Sequence, residues 1–571
     1  MLIWMPFTDL ETQASIASRL AASLLGASAL TIALAIGYGQ TAYAQTCEDI
    51  ATGGDITRSV VVTAQDGVFD NADFSLQRTL GQIIETADAV NTPAERIAMV
   101  QSIVRSFNRP EFENPTSGLT VPVHVRPEAN LDPIKLLDSA DLEEGMHPVG
   151  LFNRFDLADA PFETCGEHRI VYMLGDGQPF DHRMTLIFEA AVPNPAPQLD
   201  EGEGCLPIVR FWKELEGVGD PAEMGSRFEA FYYTGLDLDE DGTPDLAPVV
   251  HADHFGLKGG QVRGNMFVVD GTAAQNQWQL REWLVGRNTD TSPTFTVETV
   301  KDNPQEEFYT DIGDPLTDFA DLQRRFQQEF VSLNLVNLMR PEINAEINNT
   351  PLTTATEVIA SIAAGFANQY HDFQSIAGDP GGDSPDEPRT HLEAAGKDFL
   401  MDIENQLGIF DLAGLPTASQ IANRAGAMTC GGCHQFSSGE PIAPPLPGET
   451  AEVVWPASLT FVHIDEQGDL SPALKERFLI ARCNRIEGFL AEHEQPEMAA
   501  EAFVAEVKGV VPQALQVQTV RDVEQAQRNF MAAQTQEQRS IALGNLEAAV
   551  EIDRSRREQT PGAFYAVRRT H

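Results

Sequence analysis

The chain has 571 residues, of which 42% are hydrophobic and 22% are charged. A single hydrophobic core stops growing at roughly 250 to 300 residues, so we expect several domains, and this composition excludes a wholly disordered chain. The formal net charge is -47, because 85 acidic residues face 38 basic ones. Such a surface repels nucleic acid and anionic membranes. It suits a cationic redox partner, an environment of high ionic strength, or simply a well-solvated surface.

The N-terminus has the pattern of an export signal. Residues 20–39 are apolar, and an Ala-x-Ala sequence follows at 42–44, which predicts a signal peptide over 1–44. Asp9 and Glu11 are unusual in such a leader. They leave open a translation start downstream of Met1, or a leader that is not cleaved and remains as a membrane anchor. No other stretch approaches the ~20 apolar residues of a membrane span. We therefore expect a periplasmic, secreted or cell-surface protein of a Gram-negative bacterium, without a transmembrane segment after cleavage.

A β-rich region is predicted after a first helix that begins at Thr92 and Pro93. From about 121 to 300, short runs rich in β-branched and aromatic residues alternate with glycine, proline and aspartate clusters. The predicted strands are Ile170–Leu174, Met184–Val192, Pro207–Trp212, Phe228–Tyr233, Val262–Val269, Trp278–Val285 and Phe295–Val300. Their pattern favours a largely antiparallel sheet.

One loop of this region has the spacing of a calcium site. The candidate ligands are the carboxylates of Asp237, Asp239, Asp241 and Asp245 and the carbonyl of Thr243. Acidic residues at positions one, three, five and nine, with Gly242 at six, can converge hard oxygen atoms on one ion. The loop resembles those of dockerins and integrin-type propeller repeats. Pro248 stands where an EF-hand has its bidentate glutamate, so no EF-hand is expected; a solvated acidic turn is the alternative.

Helical spacing of apolar residues begins after Asp314. The first predicted helix carries Phe319 to Leu333, and the second begins at Thr354 and extends to Tyr370. The third spans His391 to Leu407, the fourth begins at Thr417, and the fifth begins at Ser471. Much of 498–557 is also predicted to be helical. A strand is predicted over Leu459 to His463, and another closes the chain at 562–571. The helix that begins at Thr417 leads directly into the most specific motif of the chain.

That motif is Cys430-Gly431-Gly432-Cys433-His434, the Cys-x-x-Cys-His spacing of a covalently attached haem. Two thiols can add to the porphyrin vinyl groups, and the adjacent imidazole can then bind the iron. The alternatives are a redox Cys-x-x-Cys or half of a zinc site, although the chain has no second Cys-x-x-Cys to complete a four-cysteine zinc site.

At this motif the chain resembles c-type cytochromes, and the resemblance covers only the haem segment. It implies one haem c bound covalently through Cys430 and Cys433, with His434 as the proximal iron ligand. The predicted fold class is α+β, an antiparallel β-rich N-terminal domain followed by a mostly α-helical haem-bearing region. The predicted divisions are a signal peptide over 1–44, a β-rich domain over 45–310, a helical haem domain over 311–450, and a mostly helical region over 451–571 that packs on the haem domain.

The ligand on the other side of the iron is left open by the sequence. His463 lies on the predicted strand face with Leu459 and Phe461, where it can reach the haem. Met498 is a second candidate, and an open position is a third. A sixth protein ligand favours electron transfer, whereas an open iron favours small-molecule binding or activation.

The four remaining cysteines are even in number, as expected for an exported chain with disulfides. Cys165 and Cys205 bracket a predicted hairpin and are expected to pair, which leaves Cys47 with Cys483. A neighbouring pair, Arg154 and Asp156, is expected to form a buried ion pair.

The function these patterns favour is electron transfer by an exported monohaem c-type cytochrome-like protein, whose redox partner the sequence does not specify. The alternatives are a haem-dependent enzyme of peroxidase or oxygenase type with an open distal site, and a haem-based sensor or binding protein.

Overall fold

An antiparallel sheet of eight strands organises the part of the chain that the structure describes. The computed structural model describes Cys47, residues 58–493 and residues 568–569, with gaps at 115–117, 119, 123–130, 159–160, 177–182, 240, 257–259, 269–276, 288–291, 379–390, 411, 413 and 460. Met1–Asp55 and Ile56–His571 group as two separate units, and every element below belongs to the second. The predicted signal peptide and Met498 lie outside the described residues.

The sheet has the strand order β1-β4-β5-β6-β7-β8-β11, with β9 also paired to β8. Its strands are β1 (Val61–Thr63), β4 (Met146–Arg154), β5 (Thr164–Leu174), β6 (Met184–Pro193), β7 (Gln261–Val268), β8 (Gln277–Arg287), β9 (Pro293–Glu298) and β11 (Ser375–Gly378). Short two-stranded ladders pair β2 (Glu111–Glu113) with β3 (Thr120–Pro122), β10 (Ala363–Ala364) with β14 (Arg568–Arg569), and β12 (Pro441–Ala443) with β13 (Val453–Val454).

The middle of the sheet is covered on both faces. Nearly every residue of β5 and β6 is buried, so these strands do not show the apolar–polar alternation of a half-exposed sheet. Successive residues still point to opposite faces. On β5, His168 accepts a hydrogen bond from Trp212 Nε1 at 3.1 Å on one face, while Arg169 lines a cavity on the other.

Helices supply both covers. They are α1 (Leu76–Thr86), α2 (Pro93–Ser106), α3 (Pro133–Leu136), α4 (Leu206–Glu214), α5 (Pro221–Glu229), α6 (Asp318–Glu329), α7 (Leu335–Leu338), α8 (Arg340–Asn348), α9 (Ala355–Ser361), α10 (His391–Ala394), α11 (Lys397–Leu407), α12 (Ala418–Ala427) and α13 (Leu479–His493). Single π-helical turns occur at Ala230–Thr234, Phe330–Asn334, Gly432–Phe436 and Leu474–Phe478. The 3₁₀ turns are Ala64–Asp66, Phe155–Leu157, Asp200–Cys205, Leu215–Gly217, Ala252–Phe255, Glu306–Tyr309 and Asn368–Tyr370.

The architecture is thus a mixed α/β fold with an antiparallel sheet in the middle and helices later in the chain, as far as the described residues show. Five of the seven predicted strands are confirmed within β5 to β9. The helix predicted at Thr92 and Pro93 is α2, where Thr92 Oγ1 accepts a hydrogen bond from Glu95 N.

Two predicted strands are wrong, because 207–212 and 228–233 are helical. Pro207 lies in the first turn of α4, where its missing N–H costs nothing. Asp220 caps α5, which continues into the π-helical turn at Ala230–Thr234. Short apolar runs of this kind have no period that separates a strand from a buried helix, so only packing against the sheet decides between them.

The later predictions need three corrections. The helix predicted over His391 to Leu407 is two helices, α10 and α11, which are separated at Ala395 and Gly396. Helix α9 ends at Ser361, and Ala363–Ala364 pairs with Arg568–Arg569 instead of continuing the helix. Leu459 and Val462 form an isolated antiparallel bridge, so the segment predicted as a strand is a tight turn. In the second case a strand partner distant in sequence overrides the apolar pattern, and in the third a local hydrogen-bond partner does so.

The described strands cross the predicted boundary at 310, because β11 pairs with β8 along Ser375↔Leu280 to Gly378↔Gln277. This pairing brings a segment from within the predicted helical domain onto the sheet. The domain divisions themselves stay predictions.

The expected disulfide between Cys165 and Cys205 is present, with the Cα atoms 5.3 Å apart and the residues 40 positions apart in sequence. Closing a loop of that length stabilises a fold by about 4 kcal/mol in the chain-entropy description. Cys47 and Cys483 are also disulfide-bonded, whereas Cys430 and Cys433 are not.

A buried carboxyl group follows β9. Asp302 is fully buried and has a positive φ of 53°. Its Oδ1 accepts a hydrogen bond from Phe366 N at 3.1 Å, and its Oδ2 has no hydrogen-bond partner among the described residues. Burial raises the pKa of Asp302 to about 7. The folded protein therefore holds a proton that the unfolded chain releases near pH 4.

We predict that Asp302→Asn makes stability less dependent on pH. In the wild type this carboxyl lowers the free energy of unfolding as pH rises from about 4 to about 7, by on the order of 4 kcal/mol in total. Asparagine keeps the acceptor for Phe366 N, tolerates positive φ and does not ionise. Denaturant unfolding at pH 5 and pH 8 should show a shallower loss for the variant. The exposed Asp70→Asn is the matched control, and equal losses in all three proteins would contradict the prediction.

Candidate functional site

The Cys-x-x-Cys-His motif follows a helix that is almost wholly buried. Thr417 and Gln420 form the predicted capping box of α12, and every residue from 420 to 427 is buried. Arg424 anchors the helix through a buried ion pair with Glu342, with two N···O distances of 2.6 and 2.8 Å. The motif is therefore presented by a rigid element rather than by an exposed loop.

The turn through the motif requires small residues. Gly432 N donates to Thr429 Oγ1 at 2.9 Å, and Gly431 N donates to Ser375 Oγ on β11 at 2.9 Å. A Cβ atom at Gly432 would lie 2.0 Å from the Gly426 carbonyl oxygen. Glycine is thus required at position 432, and the chain passes into a π-helical turn at Gly432–Phe436.

Both motif cysteines are buried thiols. Their relative exposures are 4% for Cys430 and 0% for Cys433. Burial raises the pKa of Cys430 to about 12 and holds the pKa of Cys433 well above its usual value. Redox-active Cys-x-x-Cys pairs depend on a lowered thiol pKa, so this environment disfavours that alternative.

The imidazole of His434 has a defined orientation. Its Nδ1 lies 2.7 Å from the carbonyl oxygen of Phe461, and because a carbonyl can only accept, Nδ1 carries the proton. Burial lowers the pKa of His434 to about 4, so the ring is neutral at physiological pH. The lone pair is then on Nε2. A histidine held through one nitrogen by a backbone carbonyl is the usual arrangement for a metal-binding imidazole.

Cys430 and His434 line a cavity between the motif and the sheet. Its empty volume is about 810 Å³, including the part that opens to solvent. The residues on the sheet side are Phe152, Arg169, Val171, Thr185, Ile187, Glu189, Arg263, Gly264, Asn265, Leu280 and Arg281. Val462, His463 and Ile464 border it from the turn after the motif, and Leu474 and Arg482 border it from the C-terminal helical segment.

The segment after the motif holds both the carbonyl that orients His434 and the predicted distal residue. The ring of Phe461 stacks on Trp278 of β8 with centroids 4.7 Å apart, which ties this segment to the sheet. His463 lines the same cavity, and its ring centre is 4.6 Å from that of His434. Its Nδ1 is 2.9 Å from Ser471 Oγ, and its Nε2 is 3.4 Å from Cys433 Sγ.

The guanidinium groups of the cavity were not expected from the sequence as part of a site. Arg169 and Arg263 lie on β5 and β7, and Arg482 lies on α13, more than two hundred residues away in the chain. Their strands are buried on both faces, so no alternation distinguishes a cavity-facing residue. The Arg154 and Asp156 ion pair is confirmed, at 2.8 Å with Arg154 1% exposed.

The predicted calcium loop brings three of its carboxylates together. One oxygen atom from each of Asp237, Asp239 and Asp245 lies within 4.8 Å of the others. Asp241 is outside that group, and its Oδ1 accepts a hydrogen bond from Thr243 N at 2.9 Å. Leu236 and Leu246 close the loop by an antiparallel bridge.

Comparison of the chain with known protein families, with curated proteins and with solved structures finds no match. No helix among the described residues is long and apolar enough to cross a membrane.

We predict that a calcium ion at the loop stabilises the fold, because an ion held only by the native state adds its binding free energy to the free energy of unfolding. Removal of calcium with a chelator should lower the melting temperature of the wild type but not that of Asp239→Ala. Asp253→Ala, an acidic residue outside the loop, should respond as the wild type does. A wild-type melting temperature that is the same with and without calcium would contradict a stabilising ion.

Proposed function

We propose that this chain binds one haem c, attached by thioether bonds to Cys430 and Cys433 and ligated by His434 Nε2, and that it transfers electrons outside the cytoplasm. The observation that carries the proposal is the oriented, neutral His434 beside Cys430 at the edge of one cavity. A zinc or redox pair requires neither this cavity nor this orientation.

The residues present fit a haem on two grounds. The thiols are buried and are not joined in a disulfide, as thioether formation requires. Apolar side chains such as Phe152, Val171 and Leu280 supply contact surface for a porphyrin, and guanidinium groups supply partners for its carboxylates.

When bound, the haem supplies a one-electron redox centre whose potential depends on its axial ligands and its surroundings. The protein supplies orientation and a low-dielectric environment. The Phe461 carbonyl holds the His434 ring and increases its basicity, and the stacked Phe461 and Trp278 side chains keep that carbonyl in place. The acidic surface, with a net charge of -47, favours a cationic partner.

We propose His463 as the sixth ligand. It is the second imidazole lining the cavity among the described residues, and Ser471 anchors its Nδ1 as Phe461 anchors that of His434. Where Ser471 Oγ accepts from Nδ1, the 3.4 Å contact of Nε2 with Cys433 Sγ uses the thiol hydrogen, which thioether formation removes. Attachment of the haem therefore leaves this nitrogen available for the iron.

A haem enzyme with an open iron is the second candidate. The sheet side of the cavity presents Asn265, Arg263 and Arg281, which are hydrogen-bond donors that could face a small ligand on the iron. This alternative becomes the better one if His463 stays outside the coordination sphere.

We predict covalent haem in protein matured by a host that attaches c-type haem. The mass of the purified chain should exceed that of the polypeptide by one haem, and haem staining should survive denaturing electrophoresis. Cys430→Ser and Cys433→Ser together should abolish both signals, whereas the disulfide variant Cys165→Ser with Cys205→Ser should retain the haem. An unmodified mass for correctly exported wild-type protein would refute the proposed function.

We predict a six-coordinate, low-spin iron in the attached haem. His463→Ala should convert the optical spectrum to high-spin, because no imidazole then replaces the lost ligand. His251→Ala, a histidine that does not line the cavity, should leave the spectrum unchanged. A high-spin wild type that binds cyanide rapidly would favour the enzyme, and a low-spin His463→Ala protein with a thioether-type absorption band would assign the ligand to a methionine such as Met498.

A further inference from the structure

A buried charge cluster beside the cavity contains one more cation than anions. Its members are Arg154, Arg169, Arg263 and Arg482, and Asp156, Glu167 and Glu189. The most exposed of these side chains is Asp156, at 19%. Glu282 and Lys301 lie next to the cluster, 3.9 Å apart, and add one charge of each sign, so they do not change the balance.

Three of the four guanidinium groups are paired with carboxylates at hydrogen-bond distance. The pairs are Arg154 with Asp156 at 2.8 and 2.9 Å, Arg169 with Glu167 at 2.6 Å, and Arg263 with Glu189 at 2.6 and 2.8 Å. Two-point contacts of this kind use the planar fork of arginine fully. These pairs leave no carboxylate of the cluster for the fourth cation.

Arg482 is that fourth cation. Its Nε lies 3.8 Å from Asp156 Oδ1, beyond hydrogen-bond range, and its side chain is 5% exposed. No other carboxylate pairs with Arg482 among the described residues. Its guanidinium lines the cavity. A buried charge without a bonded counter-ion costs several kcal/mol, so an anion bound in the cavity beside Arg482 would be stabilising.

We infer that Arg482 binds a carboxylate of the ligand that fills the cavity, and that this carboxylate is a propionate of the haem. The inference rests on the proposed function, which brings a ligand with two carboxylates into the cavity. Arg482 offers a planar donor fork that matches a carboxylate. Arg169 and Arg263 line the same cavity and add to the positive potential.

Few titratable or charged groups line the cavity near Arg482. Glu189 is held ionised by Arg169 and Arg263, which lower its pKa, and burial keeps His463 and His434 neutral. Arg281 also lines the cavity and donates to Gln374 Oε1 at 2.7 and 3.0 Å. Among the groups that line the cavity, a ligand carboxylate that loses its guanidinium is therefore the one expected to change protonation between about pH 5 and 8. Asp302, whose pKa is about 7, lies outside the cavity lining and is the same in every protein compared.

The test measures the reduction potential of the haem-loaded protein between pH 5 and 8. In the wild type and in Arg482→Lys the potential should not change with pH, because a cation keeps the propionate ionised. In Arg482→Met it should fall as pH rises, because the propionate then ionises within this range and its negative charge disfavours reduction. Arg485→Met, on the same helix but away from the cavity lining, should behave as the wild type does.

A pH-independent potential in Arg482→Met would overturn the inference. If Arg482→Met does not yield folded protein, Arg482→Gln, which lacks the charge but keeps hydrogen-bond donors, is measured against Arg482→Lys in the same way. Calorimetric titration with succinate tests the other source of a carboxylate: binding to the wild type that is lost in Arg482→Met would show that the guanidinium faces a free anion, and would overturn the propionate assignment. Absence of covalent haem from the wild type is a separate result, which refutes the proposed function.

Discussion

The charged side chains on the covered part of the central sheet depend on partners inside the protein. Helices and connecting segments lie on both faces of β5 and β6, so little water reaches the side chains of Arg169 and Glu189, which are 11% and 0% exposed. The register of the strands contributes, because Arg169 stands directly opposite Glu189, which also accepts hydrogen bonds from Arg263 on the next strand. An exposed sheet of the same sequence would gain little from these pairs. In the interior, leaving one member alone would cost several kcal/mol.

The same constraint connects the sheet to the haem-type motif. The motif reaches the cavity from a helix on the other side, and three segments complete its surroundings. They contribute Ser375 of β11, Phe461 and His463 of the following turn, and Arg482 of α13. The chemistry of the motif is therefore inseparable from the sheet, even though the two are predicted from different parts of the sequence.

The accuracy of the sequence-based predictions varied with the kind of signal. Helix starts were predicted correctly where side chains cap the first turn, as Thr417 and Gln420 do in the capping box of α12. Runs that are apolar without a period, such as 207–212, were assigned to strands although they form helices. The 165–205 disulfide was predicted from its position around a hairpin, and that hairpin is β5 with β6. The Asp237 loop showed its ligand spacing in sequence, yet which carboxylates converge depended on the folded turn.

The sequence by itself determined the features that depend on residues close together in the chain. The spacing of Cys430, Cys433 and His434 predicts haem attachment, and Gly432 between the two thiols allows the tight turn that presents them. Only the tertiary structure decided which nitrogen of His434 carries a proton, because the acceptor is a carbonyl 27 residues away. It likewise decided that Arg482 reaches a cavity lined by Arg169 and Arg263. The sequence shows that an arginine is charged, but it does not show which group will be the counter-ion of that arginine. Strand register and helix packing determine the counter-ion, because they bring together residues hundreds of positions apart.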